Sequence, residues 1–375
     1  MSSETSTPYT PASTSTTVAG NETVSLADEV KKYDTGKLIS FLQERGLELS
    51  ETVIKILEKE EITGQDLFDM TKEELRSAGL GLGPATRLVK FAKECKDKKL
   101  RAFSTYRSLK EVLAKYDIKS NGTDAIPLFS LQPPKIQDSN KHLGHCVENI
   151  LFRMKHYGSL VVDSLESMRN EYVSTILHTA LHIAEDETSK EFSMRPEFEI
   201  IGEESSGRVD YAITVCDFFG IFHSYDFRGY TNDIPAFQES ENLICVTEDK
   251  VQRNILEGYA QNIKQLESSY ETNRRGKRKR EDDDFDYLYG IVTTARDWHF
   301  LLYSPGEISQ ASELPLAIEF NKKALVKDSE EYKTLHSGVK KVLGMVVGML
   351  VDRASAEDES PSKKKARVEG YRSKK

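Results

Sequence analysis

The feature that most constrains the fold is a pair of β-prone segments carrying acidic residues, followed at once by a helical pattern. The first segment runs from Val209 to Val215 and contains Asp210, and the second runs from Leu243 to Thr247 and leads into Glu248. Apolar residues then recur at helical spacing from Val251 to Ser268. Strands that alternate with helices in this way predict an α/β domain.

The flanking segments extend the α/β pattern. A long helix is predicted near Leu160 to Asp186, and a closing helix from about Asp328 to Arg353. Further strands are predicted at Glu197 to Ile201, near Tyr287 to Thr294 and at Trp298 to Tyr303. The predicted order is therefore helix, hairpin, strand, helix and strand.

The acidic strand ends predict a metal site. Because side chains alternate along a strand, Glu248 and Lys250 should share one face while Asp249 points away and offers its backbone carbonyl as an oxygen ligand. Together with Asp210 at the mouth of the neighbouring hairpin, these hard oxygen ligands suit Mg²⁺ or Mn²⁺. Lys250 is placed to orient the attacking water or to help deprotonate it. Such a set favours hydrolysis of a phosphodiester.

This arrangement resembles the PD-(D/E)XK nuclease-like superfamily, also called the restriction-endonuclease-like fold. The resemblance implies a magnesium-dependent endodeoxyribonuclease that cleaves DNA, with Asp210, Glu248 and Lys250 as catalytic residues. The family pattern adds an acid from the preceding long helix, for which Glu171 is the best match and Glu166 the second. Crinkler-like effectors of fungi and oomycetes also couple an N-terminal module to nuclease-like domains.

The helix after the lysine carries a further part of the resemblance. Gln261 and Gln265 are similar to the glutamine motif of RecB-like nucleases, but Gln265 replaces the usual tyrosine, so only Gln261 is carried over as a catalytic residue. The expected metal ligands are Asp210 and Glu248, with Glu171 added by the resemblance and Asp249 through its backbone carbonyl. The long step between the first two of these departs from the family pattern and implies inserted residues or extra strands.

Two alternatives stand beside this interpretation. In the first, the α/β domain is a degenerate nuclease, and the protein is a non-enzymatic nuclear scaffold. In the second, His178 and His182 lie on one helix face near Glu171 and Glu185 and bind zinc. The zinc-protease helix would need a glutamate at position 179, which is Thr179, so a polar helix face is the simpler interpretation.

The N-terminal part predicts a separate bundle of short helices from residue 25 to residue 96. The blocks Leu38–Leu42, Ile62–Leu67, Met70–Leu75 and Gly79–Arg87 occur in the order of a sterile alpha motif (SAM) domain, which this region resembles. The resemblance implies self-association, or binding of another SAM-domain protein, through one acidic and one basic face. The residues expected on these faces are Asp66 and Asp69 on the first and Arg87 and Lys90 on the second.

Charge is unevenly distributed in a chain whose formal net charge is −9. A basic run, expected to contact nucleic acid, contains Arg274, Arg275, Lys277, Arg278, Lys279 and Arg280. With the lysines at 363–365, this run indicates a nuclear-localisation signal and an import receptor as partner. No membrane segment is expected, because the apolar run from Val342 to Val351 is too short to span a bilayer.

The whole chain is thus predicted to be a multidomain protein of mixed α+β and α/β class, with an all-α SAM-like five-helix bundle and an α/β restriction-endonuclease-like core. The predicted divisions are a disordered Ser/Thr-rich tail at 1–24, the bundle at 25–96, a linker at 97–141, the nuclease-like domain at 142–353 and a disordered basic tail at 354–375.

Overall fold

The computed structural model describes residues 23–47, 49–97, 99–216, 242–276 and 285–372. Its helices are α1 Leu26–Val30, α2 Thr35–Glu44, α3 Glu51–Lys59, α4 Gly64–Asp69, α5 Lys72–Ser77, α6 Leu82–Asp97, α7 Leu109–Leu113, α8 Lys141–Tyr157, α9 Glu166–Thr188, α10 Ile255–Gly276, α11 Glu330–Ser355 and α12 Pro361–Arg372. Its strands are β1 Thr23–Ser25, β2 Lys99–Ala102, β3 Glu191–Ile201, β4 Ser205–Cys216, β5 Asn242–Asp249, β6 Leu288–Thr293, β7 Asp297–Ser304, β8 Glu307–Gln310 and β9 Leu316–Ala317.

Helices α1 to α6 form the N-terminal bundle, and polar caps set where several of them begin. Thr63 and Thr71 each accept a hydrogen bond from the backbone three residues later and complete capping boxes with Asp66 and Glu74. Gly64 lies so close to α1 that an added Cβ would be 1.8 Å from the carbonyl oxygen of Val30. The bundle predicted for residues 25–96 is therefore present, with the short α1 added to the five expected helices.

The nine described strands form one mixed sheet. Strands β3, β4 and β5 are antiparallel neighbours, β5 runs parallel to β6, and β6 is antiparallel to β7. Helix α10 makes the crossover between the parallel strands β5 and β6, as a parallel pair requires. The predicted order of helix, hairpin, strand, helix and strand is found as α9, β3–β4, β5, α10 and β6.

Helices cover both faces of the sheet. On one face Tyr211 and Cys245 pack with residues of α8, α9 and α11. On the other, Ala212 and Val246 pack with α10 and α7. Alternation along β4 and β5 therefore divides their side chains between two cores. Helix α11 is long and apolar enough to cross a membrane by length and composition, but most of that apolar window is buried in the first core.

The segment predicted as a linker at 97–141 is instead part of the α/β region. Strand β2 joins the sheet beside β4, and α7 packs into the core shared with α10. Leu113 and Ile126 are buried there, and Phe129 is buried in the core on the opposite face. The Pro and Gly residues mark turns between these packed pieces, which composition alone does not distinguish from an extended tether.

The tail predicted to be disordered at 354–375 also differs in the structure. Helix α12 packs against the sheet through the buried Val368. Arg367 donates to Asp352 at 2.9 Å, and Lys364, itself buried, lies 3.5 Å from Asp286. The basic residues that make this segment look solvated are partners of buried carboxylates, and sequence spacing does not reveal such long-range pairs.

Candidate active site

The candidate site begins with two carboxylates on neighbouring strands. Strands β4 and β5 pair through Tyr211 and Thr247, so Asp210, which precedes the first, lies beside Glu248, which follows the second. The backbone N–H of Asp249 donates to Oδ2 of Asp210 at 2.5 Å. The structure therefore brings together the two acids that the sequence pattern predicted.

Glu248 is buried, and hydrogen bonds hold both of its oxygens. The Lys250 ammonium lies 2.6 Å from Oε1, and the Gln265 side-chain amide of α10 donates to Oε2 at 2.5 Å. A Cβ on Gly258 would lie 3.0 Å from Cγ of Lys250 and 2.8 Å from Cγ1 of Val292, so a residue without a side chain lets α10 approach the site this closely.

The proximity of the two acids changes the proton affinity of the half-buried Asp210. Burial, followed by the negative charge of Glu248, raises the pKa of Asp210 to about 8. Burial alone would lower the pKa of Lys250, but Glu248, with smaller contributions from Asp210 and Glu166, raises it above its ordinary value. The site thus combines a carboxyl that favours its protonated form with a lysine that stays charged.

Asp249 points to the opposite face of the sheet, as alternation predicted. There its carboxylate meets Arg169 of α9, with Nε 3.0 Å and Nη2 2.9 Å from Oδ2. Burial raises the pKa of Asp249 to about 6, the nearby guanidinium opposes this rise, and Glu166 adds to it. This ion pair uses only the side chain of Asp249, so the role predicted for its backbone carbonyl as a metal ligand stays a prediction.

The two acids proposed from the long helix lie in different surroundings. Glu171 is about half exposed and pairs with Arg153 of α8, whose Nε is 3.1 Å from Oε2. The negative charge of Glu166 contributes to raising the pKa of both Asp249 and Lys250. On α9, Glu166 shares the face of Arg169 one turn away. The second choice of acid is therefore the one that the structure brings near the lysine.

The glutamine helix also differs in detail from the resemblance. Gln261 and Gln265 are both buried on α10, and it is Gln265 that hydrogen-bonds Glu248. Sequence reasoning set Gln265 aside because a tyrosine is usual at its position. Its spacing one turn after Gln261 was the available signal, since both then face the sheet.

The donor set suits a divalent cation, although no three of its side chains already converge. Among the residues that the structure describes, no group of three or more His, Cys, Asp and Glu side chains is arranged to hold a metal. Asp210 and Glu248 nevertheless supply hard oxygens side by side, and their mutual repulsion is the condition that a cation relieves. Two further oxygen donors are the carbonyl of Asp249, which follows Glu248 in the chain, and Glu166, whose charge acts on Asp249 and Lys250.

The histidines of the zinc alternative lie on the outer side of α9. The His182 ring stacks on His142 of α8 with centroids 5.6 Å apart, and its Nδ1 is 3.3 Å from Oε2 of Glu185. Burial, with a contribution from His182, lowers the pKa of His178. In the part of the chain that is described, no third ligand completes a zinc site here.

Only the first part of the basic run lies within the described residues. Arg274 is exposed near the end of α10, and Arg275 lies in the same helix. Lys277, Arg278, Lys279 and Arg280 lie outside the described residues. The second basic segment, Lys363 to Lys365, belongs to α12, where the middle lysine is buried.

The two charged faces proposed for self-association are on the bundle, with one complication. Asp66 is committed to its capping box, since Thr63 donates to it through both backbone and hydroxyl, and these bonds lower its pKa. Asp69 accepts from the Gln65 side chain at 2.6 Å, and Lys90 lies 3.6 Å from Glu94. Arg87 is exposed on α6. Asp69 is therefore the acid whose replacement disturbs the bundle least.

Comparison with known proteins adds information for the N-terminal region. A family model described as a SAM-like domain matches residues 6–94. No curated protein matches the chain. The match ends before β2 and does not reach the α/β region. The N-terminal helical region of this chain is therefore similar to a SAM-like domain.

Proposed function

We propose that the α/β region is a metal-dependent nuclease that hydrolyses phosphodiester bonds of DNA. The observation that carries the proposal is the cluster of Asp210, Glu248 and Lys250 at the ends of adjacent strands, with Gln265 fixing the second acid. The order α9, β3–β4, β5, α10 and β6 supports it, because it is the order of elements in the nuclease-like superfamily that the sequence resembles. Fold alone does not decide activity, so the site residues carry the argument.

The side chains divide the work of such a reaction. Asp210 and Glu248 would hold Mg²⁺ or Mn²⁺, with Glu166 and the carbonyl of Asp249 as further oxygen donors. The bound cation supplies Lewis-acid stabilisation of the negative charge that develops on the phosphate. Lys250, kept charged by the adjacent acids, orients the attacking water and balances the same charge. Gln265 holds the Glu248 carboxylate in one orientation.

One observation favours the alternative of a nuclear scaffold with a degenerate site. Both oxygens of Glu248 are engaged, by Lys250 and Gln265, so the lysine already neutralises the acid that a cation would use. If that pair is permanent, the α/β region would bind nucleic acid or protein without cutting.

Cleavage assays on the full-length chain distinguish the two functions. Wild type is expected to nick or cut plasmid DNA with Mg²⁺ or Mn²⁺, and Asp210→Asn and Lys250→Gln should each lower cutting about 100-fold or more. The matched control is Asp138→Asn. Asp138 is an exposed acid whose ion-pair partner is Lys340, and neither residue belongs to the proposed site. Equal cutting by wild type and both site variants would indicate contamination. An inactive wild type with no heat of metal binding would favour the scaffold.

Replacing the helix acids one at a time identifies the third donor. Glu166→Gln should reduce cleavage about tenfold or more, because it removes a carboxylate whose charge reaches Lys250. Glu171→Gln should reduce it less, because Glu171 pairs with Arg153 at the surface. The reverse order of effects would restore the first choice made from the family pattern.

We further propose that the protein acts in the nucleus, brought there by an import receptor that binds the basic run at 274–280. The alternative signal in α12 is weaker, because Lys364 is buried beside Asp286. A fluorescent fusion of the whole chain should concentrate in nuclei and become diffuse when Lys277 and Lys279 are neutralised. Neutralising the exposed Lys363 and Lys365 instead should change little, and an unchanged distribution in the first variant would remove the proposal.

The SAM-like domain supplies the proposed protein contacts. We propose that it binds a second copy of this chain, or another SAM-domain protein, through the faces marked by Asp69 and by Arg87 with Lys90. Opposite charges on two separate surfaces favour a heterologous contact that can propagate from one chain to the next.

A further inference from the structure

Asp249 lies between the proposed catalytic acid and lysine, yet its side chain is used on the other side of the sheet. Its carboxylate receives Arg169 Nε at 3.1 and 3.0 Å on its two oxygens, and Nη2 at 2.9 Å. Both side chains are nearly fully buried, with 3% and 0% of their areas exposed. The same guanidinium donates to the carbonyl of Ser164, in the loop before α9. One arginine thus joins this loop, α9 and the end of β5.

Stability alone is a poor explanation for this pair. Removing two charges from water costs free energy that their attraction often only balances, and well-packed apolar residues of similar volume commonly stabilise a core as well or better. The position of the pair suggests a different use. Asp249 is the last residue of β5, where the backbone is still paired with Thr293 of β6 while the pairing with β4 has ended at Thr247.

The backbone of Asp249 is where the parts of the site meet. Its N–H donates to Oδ2 of Asp210 at 2.5 Å, and its two chain neighbours are Glu248 and Lys250. The next N–H, that of Lys250, donates to the carbonyl of Thr293 on β6 at 2.8 Å. A displacement of residue 249 would therefore move three of the proposed catalytic groups together.

We propose that Arg169 is a positioning residue of the nuclease site, which holds Asp249 from the opposite face of the sheet and thereby fixes the relative positions of Asp210, Glu248 and Lys250. Its effect on the reaction rests on the nuclease function proposed above. The hydrogen bonds and the ion pair of Arg169 go to Asp249 and Ser164, and none goes to these three residues. Its contribution passes through the backbone at position 249.

The test replaces the ion pair by an apolar pair in the full-length protein. The double variant Arg169→Met with Asp249→Val removes both charges at similar total volume and leaves no buried charge without a partner. The single variant Arg169→Met would leave the Asp249 carboxylate buried and unpaired. It therefore measures only how much stability is lost when this charge has no partner. The matched control removes a surface pair, Lys340→Gln with Asp138→Asn.

Four measurements are made on each variant. These are the thermal midpoint, hydrogen exchange of the peptide that contains residues 246–251 in metal-free protein, and Mn²⁺ affinity by electron paramagnetic resonance with DNA cleavage in parallel. The double variant is expected to keep a thermal midpoint close to that of wild type while exchange at 248–250 becomes faster. Cleavage and Mn²⁺ affinity should fall about tenfold or more, because small displacements of catalytic groups are costly.

Two results would overturn the proposal. One is a double variant that exchanges, binds Mn²⁺ and cleaves as wild type does, which would make the pair dispensable. The other is a set of losses that simply follows a lowered thermal midpoint, which would make the pair a stabilising contact. Failure of the nuclease proposal is recognised separately, since wild type itself would then neither cleave nor bind Mn²⁺, while the exchange comparison would still decide whether Arg169 fixes residue 249.

Discussion

Metal binding by this site should depend steeply on pH between about 6 and 8, because a cation must displace a proton from Asp210. Burial and the charge of Glu248 raise the pKa of Asp210 to about 8, so at about pH 6 only one molecule in about a hundred has this carboxyl ionised. The apparent Kd for Mn²⁺ should therefore be about 50-fold weaker at about pH 6 than at about pH 8, with close to one proton released per ion. Asp249, whose pKa is about 6, titrates at the lower edge of this window.

Calorimetry in two buffers of different ionisation enthalpy measures both the affinity and the protons released. Asp210→Asn is the companion variant, and its residual metal binding should lose this pH dependence. A wild-type affinity that is constant from about pH 6 to pH 8, or an Asn variant with the same slope, would refute the argument that a protonated Asp210 controls binding.

The same carboxyl should make the metal-free fold less stable as pH rises. Its pKa is higher in the folded chain than its ordinary value of 3.8, so the folded state holds a proton that the unfolded state releases. The stabilisation is complete below about pH 4 and is lost as pH rises to about 8. Urea unfolding of the metal-free proteins checks this. Above about pH 6, the free energy of unfolding should decline with rising pH in wild type and should not decline in Asp210→Asn.

Three further predictions concern single side chains. Lys250→Gln should lower cleavage about 100-fold or more while Mn²⁺ affinity stays equal or becomes tighter, because the competing ammonium is removed. Single-turnover cleavage and calorimetry measure the two effects. Loss of both cleavage and Mn²⁺ affinity would make the lysine part of the binding site. Gln265→Leu should reduce cleavage more than Gln261→Leu in the same assay, since Gln265 donates a hydrogen bond to Glu248, and the opposite order would support the family motif. Asp69→Lys and Lys90→Glu should each reduce association of the full chain in sedimentation at low salt, and an equimolar mixture should associate again because opposite charges then face each other. A wild type that stays monomeric would exclude self-association.

The sequence predicted more of the fold than of its contacts. Periodicity placed α9, β4, β5 and α10, and strand alternation separated Asp249 from its two neighbours, because both patterns are local. The partner of Asp249 is 80 residues away in the chain. No local pattern marks Arg169 as that partner, since a helical arginine is usually exposed.

The same reason explains what was missed at the chain's basic end. Lys364 and Arg367 look like solvated charges in sequence, and they are paired because buried carboxylates of other elements lie beside them. The choice of Glu171 over Glu166 followed a family pattern rather than the helical face shared with Arg169. The choice of Gln261 over Gln265 likewise followed residue type, while the hydrogen bond to Glu248 depends on which turn of α10 faces the strand end.

The strands that flank the SAM-like bundle have a mechanical consequence. Strand β1, before the bundle, pairs with β2, after it, and β2 continues beside the start of β4 through Arg101 and Ser205. Two strands and the ion pair of Lys37 with Glu199 thus connect the bundle to the sheet, so the bundle is not attached by a single linker. In a head-to-tail series of associated bundles, every α/β region would then hold the same position relative to its own bundle and would recur at a regular spacing. A long DNA molecule lying along such a row would meet successive sites at fixed intervals, and the length of its fragments would report the repeat of the assembly.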